Sequence, residues 1–108
     1  MKDMKNRSEF DEALASDKYV CALFTADWCP DCHVIKPIIP ELEKVYGDEF
    51  DFISLERDEF LDLCQEMNVF GIPSFICYSK GEECGRFVSK DAKTREEIEE
   101  FLKKTAAS

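Results

Sequence analysis

The 108 residues suffice for one domain of ordinary size, spanning 1–108, and a hydrophobic share of 44% rules out intrinsic disorder as the main state. Fourteen basic residues against 24 acidic leave a net charge of −10, which repels phosphate backbones and anionic headgroups and excludes nucleic acid and membrane surfaces as partners. No apolar run approaches the ~20 residues that cross a bilayer.

The first seven residues are basic, but Ser8, Glu9, Asp11 and Glu12 follow where a leader would turn apolar, so a cytoplasmic protein is expected. Six cysteines are too few for a disulfide scaffold. In a reducing compartment, close cysteine pairs point to redox or metal chemistry instead.

Taken in chain order, Ser8 opens a short amphipathic helix with Phe10, Ala13 and Leu14 on one face. Tyr19 to Ala26 is apolar at nearly every position, the pattern of a strand buried on both faces. From Pro30 to Tyr46 the apolar residues recur at helical spacing, with Pro37 and Pro40 forcing a kink and Gly47 ending the run. Phe50 to Glu56 is a second strand, and Asp58 is expected to cap a helix carrying Phe60, Leu61, Cys64 and Met67. Phe75–Ser79 and Cys84–Ser89 flank Lys80–Gly81 as a β-hairpin. Thr94 and Glu97 form a capping box for a final helix with Ile98, Phe101 and Leu102 inward. A short strand within Met1 to Lys5 would leave no visible signal. The order α-β-α-β-α-β-β-α implies an α/β fold: one sheet with helices on both faces, parallel crossovers and an antiparallel edge from the hairpin.

Trp28-Cys29-Pro30-Asp31-Cys32 lies between the buried strand and the kinked helix. Two cysteines separated by two residues at a first helical turn can close a small disulfide ring. Cys29 would sit where unpaired N–H groups and the helix dipole favour a thiolate. Cys32, one turn on, would be shielded but able to attack a mixed disulfide on Cys29. A metal-binding pair is the alternative, although structural zinc wants four ligands and the other cysteines lie far off.

These residues resemble the thioredoxin family over about Ser8 to Leu102. Ala26-Asp27-Trp28-Cys29 is similar to that family's approach to its active site, Pro37 to the proline that kinks its active-site helix, and Gly71-Ile72-Pro73-Ser74 to its Gly-Ile-Pro-Thr segment. The resemblance implies the thioredoxin fold, a central mixed sheet of four to five strands with helices on both faces. It also implies dithiol–disulfide exchange with no cofactor and no metal, with Cys29 and Cys32 catalytic. Pro73 would be cis and pack beside the cysteines, Ile72 would offer its backbone to a substrate strand, and Trp28 would form a flat apolar wall. The recycling partner would be a thioredoxin-reductase-like flavoenzyme drawing on NADPH. The WCPDC variant resembles thioredoxin-related proteins associated with small disulfides and selected protein thiols, and a monomer is expected.

Two departures stand out. The family's buried aspartate and its lysine partner fall on Leu23 and Ser54. Asp31 puts a carboxylate between the thiols: at ~6 Å and an effective dielectric of ~40, repulsion disfavours a Cys29 thiolate by about 1.4 kcal/mol and so favours the disulfide. A solvated helix-start acid without effect is the other reading of Asp31. His33 reads as a surface residue, and Cys21, Cys64, Cys77 and Cys84 as buried inert thiols. A turn at Lys80–Gly81 would set Cys77 opposite Cys84 as a second redox pair. A non-catalytic adaptor that docks a protein through its Trp28–Pro73 face is the remaining alternative.

Overall fold

A computed structural model describes residues 1–107. The strands are β1 (Lys2–Asp3), β2 (Tyr19–Thr25), β3 (Phe50–Glu56), β4 (Ser74–Ser79) and β5 (Glu82–Phe87). The helices are α1 (Arg7–Ala13), α2 (Pro30–Ile35), α3 (Ile39–Tyr46), α4 (Leu61–Glu66) and α5 (Arg95–Ala107). The sheet order is β1-β3-β2-β4-β5, with β2 parallel to β3 and antiparallel to β4. β2 therefore lies at the centre, and its unbroken apolar run follows from burial on both faces.

One face packs Phe10, Ala22, Phe24, Leu55, Leu63 and Ile76 against α1 and α4. The other packs Leu23, Ile39, Leu42, Phe75, Ile98 and Leu102 against α3 and α5. Pro37 and Pro40 divide the second helix: α2 gives way to a 3₁₀ turn at Lys36–Ile38, and α3 restarts with Pro40 in its first turn. Each proline thus sits where its missing N–H is not needed.

Four expectations need correction. The connection through α4 is not a parallel crossover, because β4 runs antiparallel to β2. The antiparallel half of the sheet is β4 and β5 together. Asn6, not Ser8, caps α1: its side chain accepts the Glu9 N–H at 2.9 Å, and Glu9 accepts the Lys5 N–H at 2.8 Å. Asp58 does not cap α4, since its carboxylate is taken up by the Trp28 indole, and Leu61 is exposed.

The fourth correction concerns the cysteines. The turn at Lys80–Gly81 is as expected, with φ of 54° and 83°, and Tyr78 pairs with Glu83. A bulge then shifts the register, so Cys77 faces Gly85 rather than Cys84. The shift sets Gly85 beneath α5, where a Cβ would lie 2.8 Å from the Thr105 hydroxyl. Cys84 is left exposed, and the neighbour of Cys77 is instead Cys21 across the β2–β4 pairing.

Candidate active site

The chain leaves β2 at Thr25 and reaches Cys29, whose N–H donates to the Ala26 carbonyl at 3.1 Å. Cys29 is the N-cap of α2, with extended backbone, and Pro30 occupies the first turn. The Cys29 sulfur accepts the Cys32 N–H at 3.3 Å, filling the place a serine or aspartate oxygen takes at other helix starts. Negative charge on that sulfur is stabilised by the N–H and by the positive end of the helix.

Both thiols are buried, at 5% and 3% exposure. Burial pushes the Cys32 thiol up to about 11, its hydrogen bond with Cys29 adds to that, and contacts with the Thr25 side chain and Ala26 backbone act in the opposite sense. Cys32 is therefore a protonated thiol at neutral pH.

The Ile72–Pro73 peptide bond is cis. Ile72 packs against Ala26, Cys29 and Cys32, and Pro73 is buried. The Ser74 hydroxyl donates to the Gly71 carbonyl at 2.6 Å. At Gly71 the chain passes so close to the segment before α5 that a Cβ would lie 2.5 Å from the Ser89 carbonyl oxygen and 2.7 Å from the Lys90 backbone. Trp28 is 60% exposed, so it is not a core tryptophan. Its indole N–H donates to Asp58 at 2.8 Å, and the Arg57 guanidinium lies 5.9 Å from its ring. Asp31 is half-buried in the first turn of α2, and His33 is exposed, its ring nitrogen on the Asp27 carbonyl.

Leu23 and Ser54 are register partners, both buried, and the Ser54 hydroxyl donates to Asp3 of β1. They border a cleft of about 260 Å³ together with Thr25, Lys36 and Glu56. Burial raises the Glu56 carboxyl above its ordinary value; the Asp27 N–H lowers it, while the charges of Asp27, Asp58 and Glu59 raise it. Among the described residues, no three His, Cys, Asp or Glu side chains are grouped so as to hold a metal ion. No helix among them is long and apolar enough to cross a membrane.

Lys93, in a stretch that reads as a polar loop, carries no sequence signal, yet it is buried between β5 and α5 at 4% exposure. Its ammonium donates to the Ser89 carbonyl at 3.3 Å, the Ser89 hydroxyl at 3.1 Å and the Asp91 carbonyl at 2.9 Å, and lies 5.0 Å from the Phe87 ring centre. Burial lowers the Lys93 amine below its ordinary value, against the charges of Asp91, Cys32, Glu97 and Asp31.

The thioredoxin family model matches residues 2–104. The chain is 41% identical over 86 residues to thioredoxin-2 of Saccharomyces cerevisiae, covering 79% of this chain and 82% of that protein. Against human thioredoxin it is 34% identical over 89 residues, covering 81% and 84%. It spans only 64% of the mitochondrial thioredoxin-2 of Schizosaccharomyces pombe, with 31% identity over 80% of its own length. Among solved structures, oxidised thioredoxin from Plasmodium falciparum matches with a TM-score of 0.82 and 26% identity, covering 97% of both chains. Sheet order, helix placement and these likenesses agree: the chain belongs to the thioredoxin family of dithiol–disulfide oxidoreductases and has the thioredoxin fold.

Proposed function

We propose that the protein reduces protein or low-molecular-weight disulfides through a Cys29–Cys32 dithiol/disulfide couple. The observation that carries this reading is the Cys29 sulfur at the N-cap of α2, accepting the Cys32 N–H while Cys32 holds its proton. Cys29 thiolate attacks one sulfur of the substrate disulfide, forming a mixed disulfide and releasing the first substrate thiolate, which takes up a proton. Cys32, deprotonated in its turn, attacks the Cys29 sulfur, and the second substrate thiolate leaves. Two electrons pass from the dithiol to the substrate. A thioredoxin-reductase-like partner returns them with two protons.

In this reading the chain works as a single monomeric domain over 1–108. An extended substrate segment lies along Ile72 and Pro73, with Trp28 as the adjoining wall, and Asp31 modulates the reactivity of Cys29. In this reading the protein acts in the cytoplasm, although relatives include proteins named as mitochondrial and chloroplastic.

Disulfide reduction by single-cysteine variants tests it. Cys29→Ser is expected to abolish turnover, and Cys32→Ser to accumulate a substrate adduct on Cys29 visible by mass spectrometry. Turnover retained by Cys29→Ser would overturn the assignment of the nucleophile. Cellular function retained by the double serine variant would favour an adaptor.

A further inference from the structure

Carboxylates border the redox centre on the side of Trp28. Asp27 and Asp31 stand two residues before and two after Cys29 in the chain. The residues that lead to Cys29 are tied to two further acids. The Asp27 N–H donates to Glu56 at 3.3 Å, and the Trp28 indole N–H donates to Asp58 at 2.8 Å. Asp58 is thereby fixed against the aromatic side chain next to Cys29, and Asp27, Asp58 and Glu59 are all exposed.

Cations offset part of this charge. Arg57 lies 3.5 Å from Asp58, and Lys36 shares a cleft with Asp27, Glu56 and Glu59. His33 is turned onto the Asp27 carbonyl. The crowding that remains is felt at Glu56, whose carboxyl is raised by burial and then by the charges of Asp27, Asp58 and Glu59, against the pull of the Asp27 N–H. The Arg57 guanidinium also lies 5.9 Å from the Trp28 ring, so that aromatic face accommodates a cation.

We propose that these carboxylates set substrate choice: Asp27, Asp58 and Glu59 favour a segment whose disulfide-bonded cysteine is flanked by lysine or arginine, and disfavour one flanked by acids. The inference rests on the proposed reading, in which Cys29 attacks and the segment lies along Ile72 with Trp28 beside it. A cation next to the target disulfide meets the carboxylates as its sulfur meets Cys29, and its aliphatic stem packs on the exposed indole. An acidic segment meets uncompensated like charge at the same place. The net charge of −10 attracts cations to the whole chain, whereas the hydrogen bond from Trp28 to Asp58 localises the preference at the redox centre.

The test uses reduced protein in a Cys84→Ser background, which lacks the exposed thiol. It is mixed with disulfide-linked pentapeptides carrying lysine, alanine or glutamate on both sides of the cysteine. Each peptide disulfide oxidises the dithiol to the Cys29–Cys32 disulfide and leaves as two peptide thiols, and Trp28, the single tryptophan, reports the rate by fluorescence. Rates are divided by those of each peptide with 2-mercaptoethanol, which removes intrinsic reactivity. At low ionic strength the lysine peptide is expected to exceed the glutamate peptide about tenfold or more, and about 0.5 M salt to remove most of the difference. A ratio near one at low salt overturns the proposal.

A paired charge removal separates the site from the overall field. Asp27→Asn with Asp58→Asn, which keeps an acceptor for the indole, is expected to lower the ratio roughly threefold to fivefold. Glu49→Gln with Glu82→Gln removes as much charge at the opposite end of the sheet, about 20 Å away along β2, and is expected to change it much less. Because each ratio is taken within one preparation, a partly unfolded variant still gives a valid value. An unchanged ratio in the first pair, or an equal fall in both, overturns the proposal. The premise fails separately: oxidation that survives Cys29→Ser would show that another thiol attacks, and the inference falls with that reading.

Discussion

Asp31 stands in the first turn of α2, between the two thiols in the chain. In the proposed reading that carboxylate repels negative charge at Cys29 and so favours the disulfide. Asp31→Asn should therefore make the couple less reducing, by at most about 30 mV. Equilibration with glutathione, followed by Trp28 fluorescence, measures this directly. An unchanged potential would leave Asp31 as a solvated helix-start acid, whose loss costs both redox forms the same ~0.3–1 kcal/mol of helix-dipole interaction. The two cysteines were legible in the sequence because their pairing at a helix start is set by local spacing after a buried strand. Lys93 was not, because what buries it is Phe87 and the Ser89–Asp91 turn, contacts that a run of polar residues does not announce.

Among the elements, those with strong local determinants were the readable ones. The capping box of α5 forms as expected: Glu97 accepts the Thr94 N–H at 3.0 Å, and the Thr94 hydroxyl accepts the Glu97 N–H at 3.2 Å. Thr94→Ala should cost about 1 kcal/mol, read as a lower urea midpoint at unchanged slope. A midpoint that does not move would mean that packing of Ile98 and Leu102 alone holds the helix start. β1 was invisible because its two residues, Lys2 and Asp3, are exposed and are recruited only through backbone pairing to β3. The direction of β4 was equally hidden, since an apolar central strand reads the same whichever way it runs. Hairpin arithmetic found the turn and missed the bulge. One extra residue in β5 exchanged the cross-strand partner of Cys77 and turned Cys84 outward.

Across the whole molecule, three buried thiols give the folded chain a common response to alkali. Burial raises Cys32, to about 11, and also Cys64; Cys21 is raised first by its hydrogen bond with Cys77 and then by burial. Unfolded thiols lose their protons from about pH 9, while these three keep theirs to higher pH in the fold. The folded state then binds more protons, so stability is full below pH 9 and falls as pH rises. Cys32 alone accounts for on the order of 2–3 kcal/mol, about half of it lost by pH 10. Lys93, with its lowered amine, acts in the opposite sense. Urea unfolding at pH 8 and pH 10 should show a steeper loss for the dithiol form than for the disulfide form, in which Cys32 no longer titrates. Equal losses would mean that Cys32 already ionises in the fold at its unfolded value.

The missing methyl at Gly71 has a consequence for how the site breathes. Ser89 and Lys90 pack directly against that backbone, and the Ser74 hydroxyl reaches the Ser89 carbonyl, so the segment bearing Pro73 and the chain before α5 are expected to open together. A protease cutting after the exposed Lys90 would therefore report on loosening around the redox centre, and an occupant clasped at Ile72 would slow a nick made far along the chain.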